Sequence, residues 1–301
     1  MKTLPDVQAE IDRRGITINR VGVSGIAFPL SVKQRGGGSQ TVHAIFDMYG
    51  SLFHTIKGTN MSRPAQILQS WSNKILSGAN YKDFVKQLRF KLQAEDVYAS
   101  ASFNYFIKKL TPVTKLETLM SYGCRFIGSI YKYRYKFILE VKVPITSVCP
   151  CSKEMSLLKN LSSEELGVDS KLIPENLGAA IGAGAHNQRG IVTVQVMTSP
   201  IQPGLWIEDA VRIVEDSSSC ELYPILKRPD EKYVTERGYK NPKFVEDIAR
   251  DVTVKFQKLK TPRWVRVKVE NYESIHAHQA VCYIERVYKG KRWHSSNRGF
   301  Y

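Results

Sequence analysis

Two thiols separated by one proline, Cys149 and Cys151, and an imidazole at His186 are the residues of this 301-residue sequence best suited to chemistry. The thiols lie in Thr-Ser-Val-Cys-Pro-Cys-Ser-Lys (146–153) and the histidine in Gly-Ala-His-Asn-Gln-Arg (184–189). A thiolate is a soft ligand and a nucleophile; an imidazole is a borderline ligand and a base. Together they suit a transition metal or a covalent mechanism. Cys-x-Cys is tighter than the usual Cys-x-x-Cys clip and has no second pair here, which argues against a closed structural zinc site. One thiol is expected to work and the other to support it. The competing account makes both thiols small buried hydrophobes and His186 a turn residue.

Acidic residues accompany this pair. Glu231, in Leu-Lys-Arg-Pro-Asp-Glu-Lys-Tyr-Val-Thr-Glu (226–236), would complete a Cys/His/Glu set that leaves a position open for water, a catalytic pattern. The alternative is a solvated loop whose surface ion pairs contribute about 0–1 kcal/mol each. Glu273 and His276, in Glu-Asn-Tyr-Glu-Ser-Ile-His-Ala-His (270–278), have the composition of a carboxylate–imidazole pair for proton transfer, or of a polar hairpin connection.

The elements that must position these groups follow from periodicity. Residues 137–144 alternate apolar and polar and end at Pro144, so a strand is expected to deliver the thiols. Upstream, 21–30 and 40–49 read as strands joined by the glycine-rich turn 33–39. A 3–4 apolar spacing predicts a helix over 65–76, preceded by the loop 57–64, and a second over 81–92, with further strands to about 123. Strands follow at 124–145 and 190–200, then helices at 207–216 and 242–256, the latter with Asn241 as N-cap and Pro242 in the first helical position. Strands at 264–270 and 280–284 close the pattern. Two similar β-rich halves with two helices each predict an α+β protein of duplicated architecture. Its parts are an arm (1–20), one module (21–123), a second (124–288) interrupted by a partly helical insertion at 155–183, and a frayed basic tail (289–301).

Composition narrows the class. With 43% hydrophobic and 24% charged residues the chain is that of a soluble globular protein. It has no apolar leader and no run of about eighteen apolar residues. Five cysteines, an odd number widely spread, argue for a reducing compartment, so a cytoplasmic protein is expected. The net charge of +16 points to a polyanionic partner. Tyr-Lys-Tyr-Arg-Tyr-Lys (131–136) interleaves aromatics and bases as a nucleic-acid-binding sheet does, or as an ordinary amphipathic strand does. A basic RNA- or DNA-binding protein is therefore the rival from a different class, although a small phosphorylated substrate explains the charge equally well.

Seven segments in order carry a resemblance: 4–7 (Leu-Pro-Asp-Val), 57–63 (Lys-Gly-Thr-Asn-Met-Ser-Arg), 146–153, 184–189, 226–236, 241–247 (Asn-Pro-Lys-Phe-Val-Glu-Asp) and 271–276 (Asn-Tyr-Glu-Ser-Ile-His). Over nearly the whole chain the sequence resembles the type IB GTP cyclohydrolases. The resemblance implies the tunnelling fold, assembled into a toroidal homo-oligomer, typically a homotetramer. It implies GTP as substrate, opening of the guanine imidazole ring at C8, release of formate and formation of 7,8-dihydroneopterin triphosphate, the first step of folate biosynthesis. Cys149 matches the family's catalytic cysteine and metal ligand, His186 and Glu231 its other ligands, and Glu246 the carboxylate that anchors guanine. Glu273 and His276 match its proton-transfer positions. Lys57, Arg63, Lys227 and Arg228 are candidates for the triphosphate, and Mn²⁺, Fe²⁺ or Zn²⁺ for the ion. The 37 residues from Cys149 to His186 exceed the family's usual interval of about a dozen. A nearer rival is a nitrile-reductase-like enzyme of the same fold, which uses the cysteine as a covalent nucleophile with NADPH and no metal.

Overall fold

The fold is built on one largely antiparallel sheet, most of whose strands alternate a buried and a half-exposed face. The computed structural model describes residues 7–182, 184–198 and 204–296; most of the 4–7 motif and the end of the basic tail lie outside these. The first half runs β1 (Ile18–Lys33), β2 (Ser39–Leu52), α1 (Ser62–Trp71), β3 (Ile75–Leu76), α2 (Tyr81–Leu92), β4 (Val97–Leu110) and β5 (Glu117–Tyr131). The second runs β6 (Arg134–Val148), α3 (Pro150–Met155), α4 (Ser163–Leu166), α5 (Glu175–Ala180), β7 (Asn187–Thr198), α6 (Ile207–Glu215), β8 (Cys220–Glu221), α7 (Arg228–Lys240), α8 (Val245–Gln257), β9 (Pro262–Asn271), β10 (Ala280–Lys289) and β11 (Arg292–Ser295). The sheet order is β11-β10-β9-β7-β6-β5-β4-β2-β1-β3, with the short β8 added to β6. The mixed α+β class expected from the sequence is therefore present. None of the described helices is long and apolar enough to cross a membrane.

Alternation decides which face is covered. In β7 every second residue, including Val192, Val194 and Val196, is buried, and in β9 Val265, Val267 and Val269. Onto this face α2 lays Tyr81, Phe84, Val85, Leu88 and Leu92, and α8 lays Val245, Ile248, Ala249, Val252 and Phe256. Each Val, Leu, Ile or Phe buried in this way contributes about 1.5–3 kcal/mol. Tyr81 packs against Phe84, Phe126 and Phe137, which joins β5 and β6 to α2 in one continuous core.

Several boundaries differ from expectation. The first helix begins at Ser62, not 65, because Asn60 Oδ1 accepts from the Ser62 amide and hydroxyl and starts the turn early. It ends at Trp71, and Ile75–Leu76 instead pairs parallel to β1. The last long helix starts at Val245 with Phe244 as N-cap; Asn241 ends α7 instead, its amide donating to the carbonyls of Ser218 and Ser219. β6 runs through Pro144, which falls between its pairings with β5 and β8, where a missing donor breaks no rung. Residues 131–136 are no platform: Lys132 and Tyr133 take positive φ (46° and 63°) in the tight turn between β5 and β6. The basic segment from Lys289, expected to fray, pairs back as β11 through residue 295.

The strand directions define two ends. The β4–β5 turn, the β6–β7 connection and the β9–β10 loop share one end; the β5–β6 turn lies at the other, roughly 45 Å away along β6. Packing at Gly128 is a sensitive point, since a Cβ there would lie 2.7 Å from the Tyr81 ring and from Val85 Cγ2, all buried. Gly128→Ala is expected to lose about 1–3 kcal/mol by overpacking, read as a lower Tm; an unchanged Tm would show that α2 is free to shift.

Candidate active site

Cys149 leaves β6 in an extended conformation and caps α3, its Sγ accepting from the Ser152 amide at 3.5 Å. Its own amide donates to His186 O at 3.1 Å, and the His186 amide donates to Ser152 Oγ at 3.2 Å. Two segments 37 residues apart in sequence are thus stitched together. The intervening excursion closes on itself: Leu157 bridges Gly182, and the Leu158 amide donates to Ile181 O at 2.9 Å. Its extra length therefore does not displace the histidine. Cys149 is half-buried and Cys151 exposed, which makes Cys149 the thiol held at the site.

The sequence reading missed Gln188. Two residues beyond His186 and so on the same strand face, it meets His186 Nδ1 through Oε1 at 3.0 Å and donates from Nε2 to Glu273 Oε1 at 3.5 Å. The spacing of two was the available signal. Cys149, His186 and Glu273 are in this way gathered at one end of the sheet. His276 is not hydrogen-bonded to Glu273; it is exposed and stacks on His278, with ring centroids 5.1 Å apart and planes at 15°.

Glu231 stands apart. It is exposed near the start of α7, whereas α7 touches the site through its other end: Lys153 Nζ donates to Tyr239 O at 2.7 Å, and Gly238 packs beside Val148. Two helical turns, roughly 10 Å, separate Glu231 from that contact. Among the described residues no group of three or more His, Cys, Asp and Glu side chains lies close enough together to hold a metal ion.

The neighbour of Glu231 fixes that end of the helix. Buried Asp230 accepts from the amides of Val113 (2.8 Å), Thr114 (2.9 Å) and Lys227 (3.1 Å) and from Thr114 Oγ1 (2.6 Å), tying α7 to the β4–β5 turn. Burial pushes its pKa up, but the Thr114 hydroxyl and these amides outweigh burial and hold it well below the usual carboxylate range. A second tie runs from Lys109, ion-paired to Glu215 and Glu221 at 2.8 Å each, to Arg237 on α7, 3.6 Å from Glu221.

Glu246 projects from the first turn of α8, exposed and without a hydrogen-bond or ion-pair partner among the described residues. It faces Cys282 on β10, whose thiol pKa is raised by burial and by this carboxylate. Lys227 and Arg228 are exposed at the start of α7, on the Cys149 end. Lys57, ion-paired with Glu10, and Arg63, which donates to Lys91 O at 3.1 Å, lie at the opposite end. There Arg63 lines a cleft of about 1020 Å³ with Tyr49, Asn60, Gln93 and Tyr98.

Comparison with known proteins places this arrangement. A family profile described as type I GTP cyclohydrolase folE2 matches residues 4–282. The chain belongs to the type I GTP cyclohydrolase folE2 family. It is 41% identical over 285 residues to GTP cyclohydrolase FolE2 of Nitrosococcus oceani, covering 95% of this chain and 96% of the relative. To GTP cyclohydrolase FolE2 of Azoarcus sp. it is 43% identical over 284 residues, covering 94% and 95%. Among solved structures, uricase from Arthrobacter globiformis superposes with a TM-score of 0.49 at 6% identity, over 91% of this chain and 95% of that one.

The Asp230 tie predicts a pH signature for this cyclohydrolase-family chain. A depressed folded pKa gives stability that is present above the ordinary carboxylate range and is lost as pH falls through the lower folded value. Hydrogen exchange of residues 228–240 should therefore stay slow from pH 7 into mild acid. Asp230→Ala should speed it severalfold at pH 7; unchanged exchange in that variant would mean α7 is held by its other contacts.

Proposed function

We propose that this chain hydrolyses GTP at C8 of the guanine ring, releases formate and yields 7,8-dihydroneopterin triphosphate, the first step of folate biosynthesis, in the cytoplasm. The observation that carries this reading is the joining of Cys149 to His186, with Glu273 linked through Gln188, in a chain of this family. Glu246, a carboxylate with no hydrogen-bond or ion-pair partner among the described residues, accepts from guanine N1–H and the exocyclic amine in a charge-assisted bidentate contact. His276, exposed on the β9–β10 loop, moves protons at the opening ring, and Glu273 on the same loop is held by Gln188.

The donor set fits a divalent ion in part. A half-buried thiol and an imidazole whose Nε2 has no partner among the described residues are a soft and a borderline ligand. Glu231 is our third ligand, and it would have to approach Cys149 and His186 to join them, since the three do not form a ligand cluster here. When bound, Mn²⁺, Fe²⁺ or Zn²⁺ supplies the Lewis acidity that lets water attack near neutral pH.

Lys227 and Arg228 hold the triphosphate from the Cys149 end. Lys57 and Arg63 cannot reach the same substrate within one chain, so we assign them to a substrate held by a neighbouring copy in a toroidal homotetramer of tunnelling-fold modules. The net charge of +16 draws the anionic substrate in. A covalent, NADPH-dependent nitrile reductase would also leave Glu231 apart; His186 beside Cys149 and the family membership favour the cyclohydrolase.

Metal-stripped protein incubated anaerobically with GTP should release formate and form a fluorescent pterin when Mn²⁺, Fe²⁺ or Zn²⁺ is restored, and Cys149→Ala should abolish both. Formate release with none of the three ions overturns the proposal. Glu246→Gln should lower kcat/KM roughly 10–100-fold, the loss of a charge-assisted hydrogen bond of about 1.5–3 kcal/mol; wild-type kcat/KM in that variant would remove Glu246 from guanine recognition.

A further inference from the structure

A carboxylate only accepts hydrogen bonds, so the part of the Gln188 side chain that faces Glu273 Oε1 must be the amide Nε2, 3.5 Å away. With the nitrogen engaged there, the amide oxygen faces the His186 ring, 3.0 Å from Nδ1. An amide oxygen cannot donate. The hydrogen between them therefore belongs to Nδ1, and in the neutral ring it is Nε2 that carries the lone pair. Gln188 has little freedom to turn over: it is 7% exposed, and its strand is paired with β6 on one side, where it sits opposite Ser147, and with β9 on the other. The amide of Tyr272, next to Glu273, donates to Arg189 O at 2.9 Å, so the ladder itself brings the carboxylate to Gln188.

We infer that Gln188 is a positioning residue that locks His186 in its Nδ1–H tautomer and ties it to Glu273, so that imidazole and carboxylate are set as one unit. The tautomer follows from hydrogen-bond chemistry alone; the roles given to Nε2 and to Glu273 rest on the function proposed above. A neutral amide suits the task, since it polarises the ring without adding a second charge beside Glu273. Partners of this kind orient metal-binding histidines, and removing one typically weakens metal affinity 10–100-fold.

Two variants separate the two bonds. Gln188→Glu can still accept from Nδ1–H but cannot donate to Glu273; Gln188→Leu can do neither. Solid-state ¹⁵N spectra of histidine-labelled, metal-free protein should show His186 protonated at Nδ1 in the wild type and in Gln188→Glu, and shifted towards Nε2–H in Gln188→Leu. Co²⁺ affinity, measured by chelator competition and by the thiolate-to-cobalt absorption band, should fall roughly 10–100-fold in Gln188→Leu and much less in Gln188→Glu. The pH profile of kcat should change in both. Wild-type His186 protonated at Nε2 overturns the inference outright, as does a folded Gln188→Leu that keeps both the Nδ1–H tautomer and wild-type Co²⁺ affinity. If wild-type protein releases no formate with any ion, the functional reading fails, while the tautomer measurement still decides this one.

Discussion

The register of β6 against β7 is the constraint on which the rest of the site depends. Val148 faces Asn187 in that ladder, and the next residue out on each strand is Cys149 and His186. Side chains alternate along a strand with a period of two, so a slip of one residue would turn one of the pair to the opposite face. Nothing local to either motif prevents such a slip. It is prevented by Val192, Val194 and Val196, each of which would leave the core if β7 moved by one. The pair is held in place by buried apolar side chains.

The second constraint is the hold on α7. This helix buries only Asp230 and Gly238, so the hydrophobic effect does little to dock it. Polar contacts dock it instead: a buried carboxylate saturated with donors near its start, and the Lys109–Glu221–Arg237 chain further along. A buried ionic group need not add net stability, but breaking one is costly, so these contacts fix how the helix sits. Here the geometry so defined is the direction in which Lys227, Arg228 and Glu231 project.

How legible this was in the sequence follows the same division. α2 was read at its observed bounds because Tyr81, Phe84, Val85, Leu88 and Leu92 trace one helical stripe. α7 was not, because a helix with almost no apolar stripe leaves only weaker marks: Pro229, Asp230 and Glu231 near its start, Arg237 and Lys240 at its end. The pairing of Cys149 with His186 was legible because their residue types are rare and reactive. Gln188 was not, because glutamine is common and its part depends on the neighbouring strand that brings Glu273 beside it. The distance of Glu231 from Cys149 was hidden for a related reason: spacing along a chain does not say which end of a helix touches the sheet. The tight turn at Lys132 and Tyr133 lacks the glycine or asparagine that usually announces positive φ.

The closed stem of the excursion after Cys149 carries one more consequence. Because Leu157 and Gly182 already meet, the length of chain between them is mechanically uncoupled from the hairpin that bears the site. Closing a flexible loop twice as long costs only about 0.6 kcal/mol more. The segment is therefore a cassette: evolution, or an experimenter, can lengthen, exchange or remove it at the stem while the thiol and the imidazole stay where the ladder puts them.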